Sequence, residues 1–229
     1  MKRLIRQLCP PILVEGARRL RHAFKANHRA AETGESQDLE LYWDPRMAEI
    51  LESWGEGNAW NEIQLLMADR RGKVLDIACG TGKVMELLQR FKNLELHGCD
   101  ISDLLIDRAL KRGIPQERLN VLDATAMTYA TGAFDFGYSI GSLEHFTEGG
   151  IAKFMAECAR VVKGPTFHMV PMSRSGRNEG WLKTMQSFHN NNEDWWRSKC
   201  RAAYASVEIL GSSWSDDISV GRWLICGKH

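Results

Sequence analysis

Residues 73–84 read Lys73-Val-Leu-Asp-Ile-Ala-Cys-Gly-Thr-Gly-Lys-Val84, and this stretch decides the fold. Val74, Leu75 and Ile77 form a short apolar run of β-branched character that Gly80 and Gly82 break. Beyond the glycines, Val84, Met85, Leu87, Leu88 and Phe91 recur at helical spacing. The pattern predicts strand, tight glycine turn, helix. Such a turn brings backbone close to a ligand, because glycine has no Cβ to hold it away, and the helix opens with unpaired N–H groups. A Walker phosphate loop would need glycine where Ile77 stands and Ser or Thr where Val84 stands, so that reading fails. A dinucleotide fingerprint would need Gly or Ala at Met85, which weakens that reading without removing it.

The segment Asp76-Ile-Ala-Cys-Gly-Thr-Gly82 resembles motif I of the class I S-adenosylmethionine-dependent methyltransferases. The resemblance implies that Asp76 lies near the methionine moiety of S-adenosylmethionine, with Ala78, Cys79, Gly80 and Gly82 against the cofactor. Ala78 stands where many members carry a further glycine.

Three later stretches follow the same family order. Leu94-Glu-Leu-His-Gly-Cys-Asp100 reads as a second strand with an acid at its C-terminal end. A carboxylate there can accept both hydroxyls of a ribose, and its distance from Gly82 fits the rule of roughly 20 residues. NAD and S-adenosylmethionine both carry that ribose, so Asp100 alone does not choose between them. Ile101 would lie against the adenine, and Ser102 or Asp100 is also suited to cap the following helix. Leu119–Leu122 reads as a third strand ending in Asp123-Ala124, where the family implies contacts to the adenine edge. Phe134, Phe136 and Tyr138 alternate with polar or small residues in a fourth strand, and Ser139 of that strand joins the expected cofactor contacts. Ser142-Leu-Glu-His-Phe146 resembles motif IV. Glu144 and His145 are the candidate acid–base pair, His145 first because its ordinary pKa lies near neutrality. The other reading of this pair is that it orders the loop. As adjacent residues they make a poor chelate, and no metal site is expected.

Around these motifs, residues 39–70 carry helical patterning and would cap the cofactor site, with Tyr42, Trp43 and Trp60 as aromatic candidates or as plain core. A helix over 150–162, closed by Lys163-Gly164, and a fifth strand over Thr166–Val170, ended by Pro171, come next. Residues 172–200 are the expected acceptor-side insertion. Ala205–Leu210 and Ser219–Cys226, joined by Gly211–Ile218, form a terminal antiparallel pair, which simple dinucleotide domains lack. The expected fold is α/β, a doubly wound, mostly parallel seven-stranded sheet with a C-terminal antiparallel hairpin, the Rossmann-like methyltransferase fold.

Composition sets the remaining bounds. A chain of 229 residues with 44% hydrophobic and 26% charged residues fits one soluble domain over 39–229. A net charge of +1 gives no case for nucleic acid, and none is expected as a partner. Six cysteines without CxxC pairs read as reduced thiols of a cytoplasmic protein. No apolar run is long enough to span a membrane. Residues 1–38 read as a basic arm and linker. Lys2, Arg3, Arg6, Arg18, Arg19, Arg21, Lys25 and Arg29 face Glu15 alone within 1–30, so that segment could dock on an anionic membrane or a partner protein, or be a solvated tail. The expected activity is methyl transfer to a small-molecule or saccharide acceptor at a hydroxyl oxygen. A nicotinamide-dependent oxidoreductase, and a non-catalytic S-adenosylmethionine-binding module docked through the basic arm, stay open as alternatives.

Overall fold

A computed structural model describes residues 34–228; the basic segment 1–30 lies outside the described residues. The strands are β1 Gly72–Ile77, β2 Leu94–Asp100, β3 Leu119–Val121, β4 Phe136–Ile140, β5 Thr166–Ser173, β6 Trp181–Leu182, β7 Phe188–His189, β8 Ser206–Ser215 and β9 Ser219–Gly227. The α-helices are α1 Pro45–Ile50, α2 Ala59–Met67, α3 Lys83–Leu88, α4 Asp103–Lys111, α5 Glu148–Val161 and α6 Glu193–Arg201, with 3-10 turns that include Leu39–Trp43 and Leu143–His145.

The described residues form a seven-stranded sheet in the order β3-β2-β1-β4-β5-β9-β8. β3 through β5 run parallel, and β9 pairs antiparallel with both β5 and β8. β1 is buried on both faces, which explains its nearly unbroken apolar run. Val74 belongs to one core cluster with Met85 of α3, Ile106 of α4 and Ile63 of α2, whereas Leu75 and Ile77 belong to another with Phe154 of α5 and Trp196 of α6. Strand order reverses between β1 and its neighbours β2 and β4. In an open α/β sheet this switch point leaves a crevice at the carboxyl ends. Among the described residues no helix is long and apolar enough to cross a membrane.

Local chemistry sets the element ends. Gly82 caps α3 in the left-handed region, at φ +72°. The Ser102 hydroxyl accepts the Leu105 N–H at the start of α4, and Thr147 Oγ1 accepts the Gly150 N–H at the start of α5.

Three boundaries differ from the sequence reading. β5 runs through Pro171 to Ser173 rather than stopping at the proline, because Pro171 lies beyond the last β4 pair, Ile140↔Met169, and needs a ladder partner on the β9 side alone. Gly211–Ser215 belongs to β8 rather than to a connection, with a register shift between Gly211 and Ser215 that absorbs the glycine and serines. Helix α5 starts at Glu148 and is capped at Val162, ahead of Lys163-Gly164. Residues 172–200 hold the end of β5, the β6–β7 ribbon and most of α6.

Candidate cofactor and acceptor site

A pocket opens at the carboxyl ends of β1, β2 and β3. Each of these strand ends delivers a buried acid into it: Asp76, Asp100 and Asp123. Tyr138 of β4 donates its hydroxyl to Asp76 Oδ2 at 2.9 Å. Burial, and to a smaller degree the Asp100 charge, push the Asp76 carboxyl up to about 8 against that hydrogen bond. Asp100 accepts the Gly80 N–H on Oδ2 and the Ser102 N–H on Oδ1, each at 2.9 Å. Burial lifts it to about 6, while these backbone donors hold it down. Asp123 Oδ1 accepts both the N–H and the hydroxyl of Thr125 at 2.8 Å.

Ala78, Cys79, Gly80, Ile101, Ala124, Tyr42 and Trp60 also line this pocket. Ala78 adopts φ +59°, a left-handed conformation that a side chain disfavours and glycine accepts. That is why glycine suits this position. The Tyr42 hydroxyl accepts from the Gln186 amide at 3.1 Å, and burial raises its pKa.

Two expected contacts are corrected. Gly82 turns away from the pocket: a Cβ on it would lie 2.7 Å from Ala109 Cβ and 2.8 Å from Ile114 Cδ1, so its missing side chain serves the approach of α4. Ser139 is fully buried on the opposite sheet face, its hydroxyl 2.8 Å from His168 Nδ1. Strand alternation explains this, since Tyr138 takes the face of Asp76. Trp43 lies apart from the pocket lining and donates its indole N–H to Asp103 at 2.7 Å.

The pocket also contains groups the sequence reading passed over. Thr81, Lys83 and Val84 come with the glycine turn itself. Leu51 and Trp54 belong to the helically patterned segment 39–70 expected to cap the site, whereas Gln37 and Gln186 arrive from segments that no local pattern marks. Arg112 fixes the segment after α1 over the turn. It donates to the Thr81 carbonyl at 2.9 Å, pairs with Glu86 at 2.8 Å, and pairs with Glu52.

A second cleft adjoins the first and contains Glu144 and His145. His145 Nδ1 lies 2.9 Å from the Ser187 carbonyl. A carbonyl only accepts, so Nδ1 carries the hydrogen and the neutral ring keeps its lone pair on Nε2. That Nε2 stands 3.7 Å from Glu144 Oε1. Burial pushes Glu144 up to about 8 and His145 down to about 4. Glu144 Oε2 is buried and has no hydrogen-bond partner among the described residues.

The donor set fits S-adenosylmethionine. Its ribose diol, α-ammonium and adenine amino group are all donors, matching three strand-end acids. Gln37 Oε1 and Thr81 Oγ1 are buried pocket atoms without a hydrogen-bond partner among the described residues, which a polar amino-acid moiety would satisfy.

Residues 74–164 match a family model described as a methyltransferase domain. The chain is 29% identical over 128 residues to methyltransferase GfsG of Streptomyces halstedii, across 53% of this chain and 45% of the relative. It is 31% identical over 114 residues to demethylmenaquinone methyltransferase of Thermotoga maritima, across 48% of each. The chain thus spans about half the length of these curated relatives. The solved structure of Burkholderia thailandensis 1,6-didemethyltoxoflavin-N1-methyltransferase, with that compound and S-adenosylhomocysteine bound, shares the fold at a TM-score of 0.69 and 15% identity, covering 96% of this chain and 91% of that one. The chain is similar to S-adenosylmethionine-dependent methyltransferases in fold and over residues 74–164, and the matched stretch includes the β1 turn, all three strand-end acids and the Glu144–His145 pair.

Proposed function

We propose that this chain transfers the methyl group of S-adenosylmethionine to a hydroxyl oxygen of a small-molecule acceptor, with Glu144 and His145 handling the proton. One observation carries the reading. Leu51, Trp54, Ile140, Gly141 and Gln186 border both the pocket of the three acids and the cleft of the Glu144–His145 pair. Cofactor and acceptor chambers therefore share a wall, as direct transfer between two bound molecules requires.

In this reading Asp76 receives the α-ammonium, Asp100 the ribose hydroxyls and Asp123 the adenine amino group. Ile101 and Leu105 flank the adenine, and Tyr42 and Trp60 cover the site. Bound S-adenosylmethionine supplies a methyl made electrophilic by its sulfonium; the acceptor oxygen takes it as the sulfur–carbon bond breaks, leaving S-adenosylhomocysteine. The chain contributes alignment, exclusion of water and removal of the hydroxyl proton, which passes to His145 Nε2. An ionised Glu144 beside the ring stabilises the imidazolium so formed.

The test is incubation with methyl-labelled S-adenosylmethionine and a panel of phenols, alcohols, methyl glycosides and amines, read by mass spectrometry. Label recovered in ethers supports the reading. Label confined to amines overturns the oxygen assignment, and tight NAD binding with none by S-adenosylmethionine overturns the cofactor.

A further inference from the structure

The walls of the acceptor cleft are unlike its floor. Trp54 and Trp214 pack with ring centroids 5.5 Å apart and planes tilted by 35°. Both indoles line the cleft together with Phe188, Met47, Ile50 and Pro171. Gly141 makes room for the first indole: a Cβ there would sit 2.9 Å from the Trp54 ring.

The polar groups are few: Glu144, His145, Gln186 and Asp216. Asp216 Oδ1 accepts the N–H groups of Ile218 and Ser219 at 2.9 and 2.6 Å. The Gln186 amide donates to Tyr42, and His145 Nδ1 is bound to the Ser187 carbonyl. At one end of the cleft His145 Nε2 stands 3.7 Å from Glu144 Oε1, and Glu144 Oε2 is buried without a hydrogen-bond partner among the described residues. A saccharide carries hydroxyls all around its ring and would leave most of them against indole, phenyl and thioether, at a cost for each polar group buried unpaired. A flat apolar body with a hydroxyl on one edge meets these walls without that cost. Aromatic faces stack on indole by area and by quadrupole.

We infer that the acceptor is a planar aromatic hydroxyl compound, its ring held by Trp54, Trp214 and Phe188 and its hydroxyl placed at Glu144 and His145. This rests on the methyl-transfer reading above and narrows its acceptor class.

The test uses the full chain saturated with S-adenosylhomocysteine and titrated with 2-naphthol or with methyl α-glucopyranoside. Trp214→Leu and Phe188→Leu are run alongside. Trp214 and Phe188 lie outside the cofactor pocket lining, so an unchanged S-adenosylhomocysteine affinity certifies that each variant is folded. The expected result is saturable 2-naphthol binding, weakened about tenfold in either variant, with none for the glucoside and formation of 2-methoxynaphthalene once S-adenosylmethionine replaces the product. Glucoside binding in preference to naphthol overturns the inference, as does naphthol binding indifferent to both substitutions. Failure of S-adenosylhomocysteine to bind would instead overturn the underlying methyl-transfer reading, and the naphthol titration of the protein alone then decides the cleft separately.

Discussion

Asp100 at the end of β2 accepts the backbone N–H of Gly80, in the turn after β1, at 2.9 Å. This bond does two things at once. It holds the glycine turn in its pocket-lining conformation, and with the Ser102 N–H on the other oxygen it fixes the carboxylate plane. A carboxylate offers about four acceptor sites, so each oxygen keeps capacity for a ribose hydroxyl.

With Asp76 receiving the α-ammonium as proposed, cofactor binding should depend on pH. The Asp76 carboxyl is lifted to about 8 by burial, so it is mostly protonated at pH 7. An ammonium placed beside it favours the ionised form and lowers that value. Binding should therefore release a proton near neutrality, and affinity should rise from pH 6 to about 8 and then level. Calorimetry in two buffers of different ionisation enthalpy reads the proton directly. Asp76→Asn should abolish the proton release.

Ala78 sits at φ +59°, where an L side chain costs ~1–2 kcal/mol. Glycine removes that strain but loses ~0.5–1 kcal/mol of extra chain entropy on folding. Ala78→Gly should thus stabilise the protein by about 0.5–1 kcal/mol, read as a higher urea midpoint at constant slope. Gly82→Ala should do the opposite by about 2 kcal/mol or more, since its Cβ would press on Ala109 and Ile114 of the packed α4 side.

Glu144 and His145 should give the rate a rising pH limb. Burial holds the glutamate neutral below about 8 and the imidazole neutral above about 4. Ionised Glu144 is the form that stabilises the imidazolium, so kcat should climb with pH and level above about 8. Glu144→Gln mimics the neutral acid and should flatten the profile at the wild-type low-pH level. His145→Ala should lower kcat by roughly 10²–10⁴-fold with little effect on S-adenosylhomocysteine affinity.

The strand-end acids were legible in the sequence because each closes an apolar run and precedes a turn or a helix signal. Their places at strand ends followed from strand periodicity, Asp100 also from its spacing to Gly82, whereas the cofactor roles of Asp76 and Asp123 were implied by the family resemblance. Ser139 was misplaced because a strand read as a whole conceals which face each residue takes; Tyr138 claims the Asp76 side and leaves Ser139 to His168. Gly82 was misplaced for another reason, since a glycine required for helix packing has the same letter as one required for ligand approach. Gln186 joins the site by tertiary folding alone, and the Trp54–Trp214 pair unites residues 160 positions apart.

The most direct test is isothermal titration of the wild type and of Asp100→Ala with S-adenosylmethionine, S-adenosylhomocysteine and NAD. The account predicts binding of both sulfur nucleosides and none of NAD. It also predicts a loss of about 2–3 kcal/mol in Asp100→Ala, where the hydrogen bonds to a charged acceptor vanish. Binding of NAD without S-adenosylmethionine, or sulfur-nucleoside binding unaffected by the loss of Asp100, would contradict it.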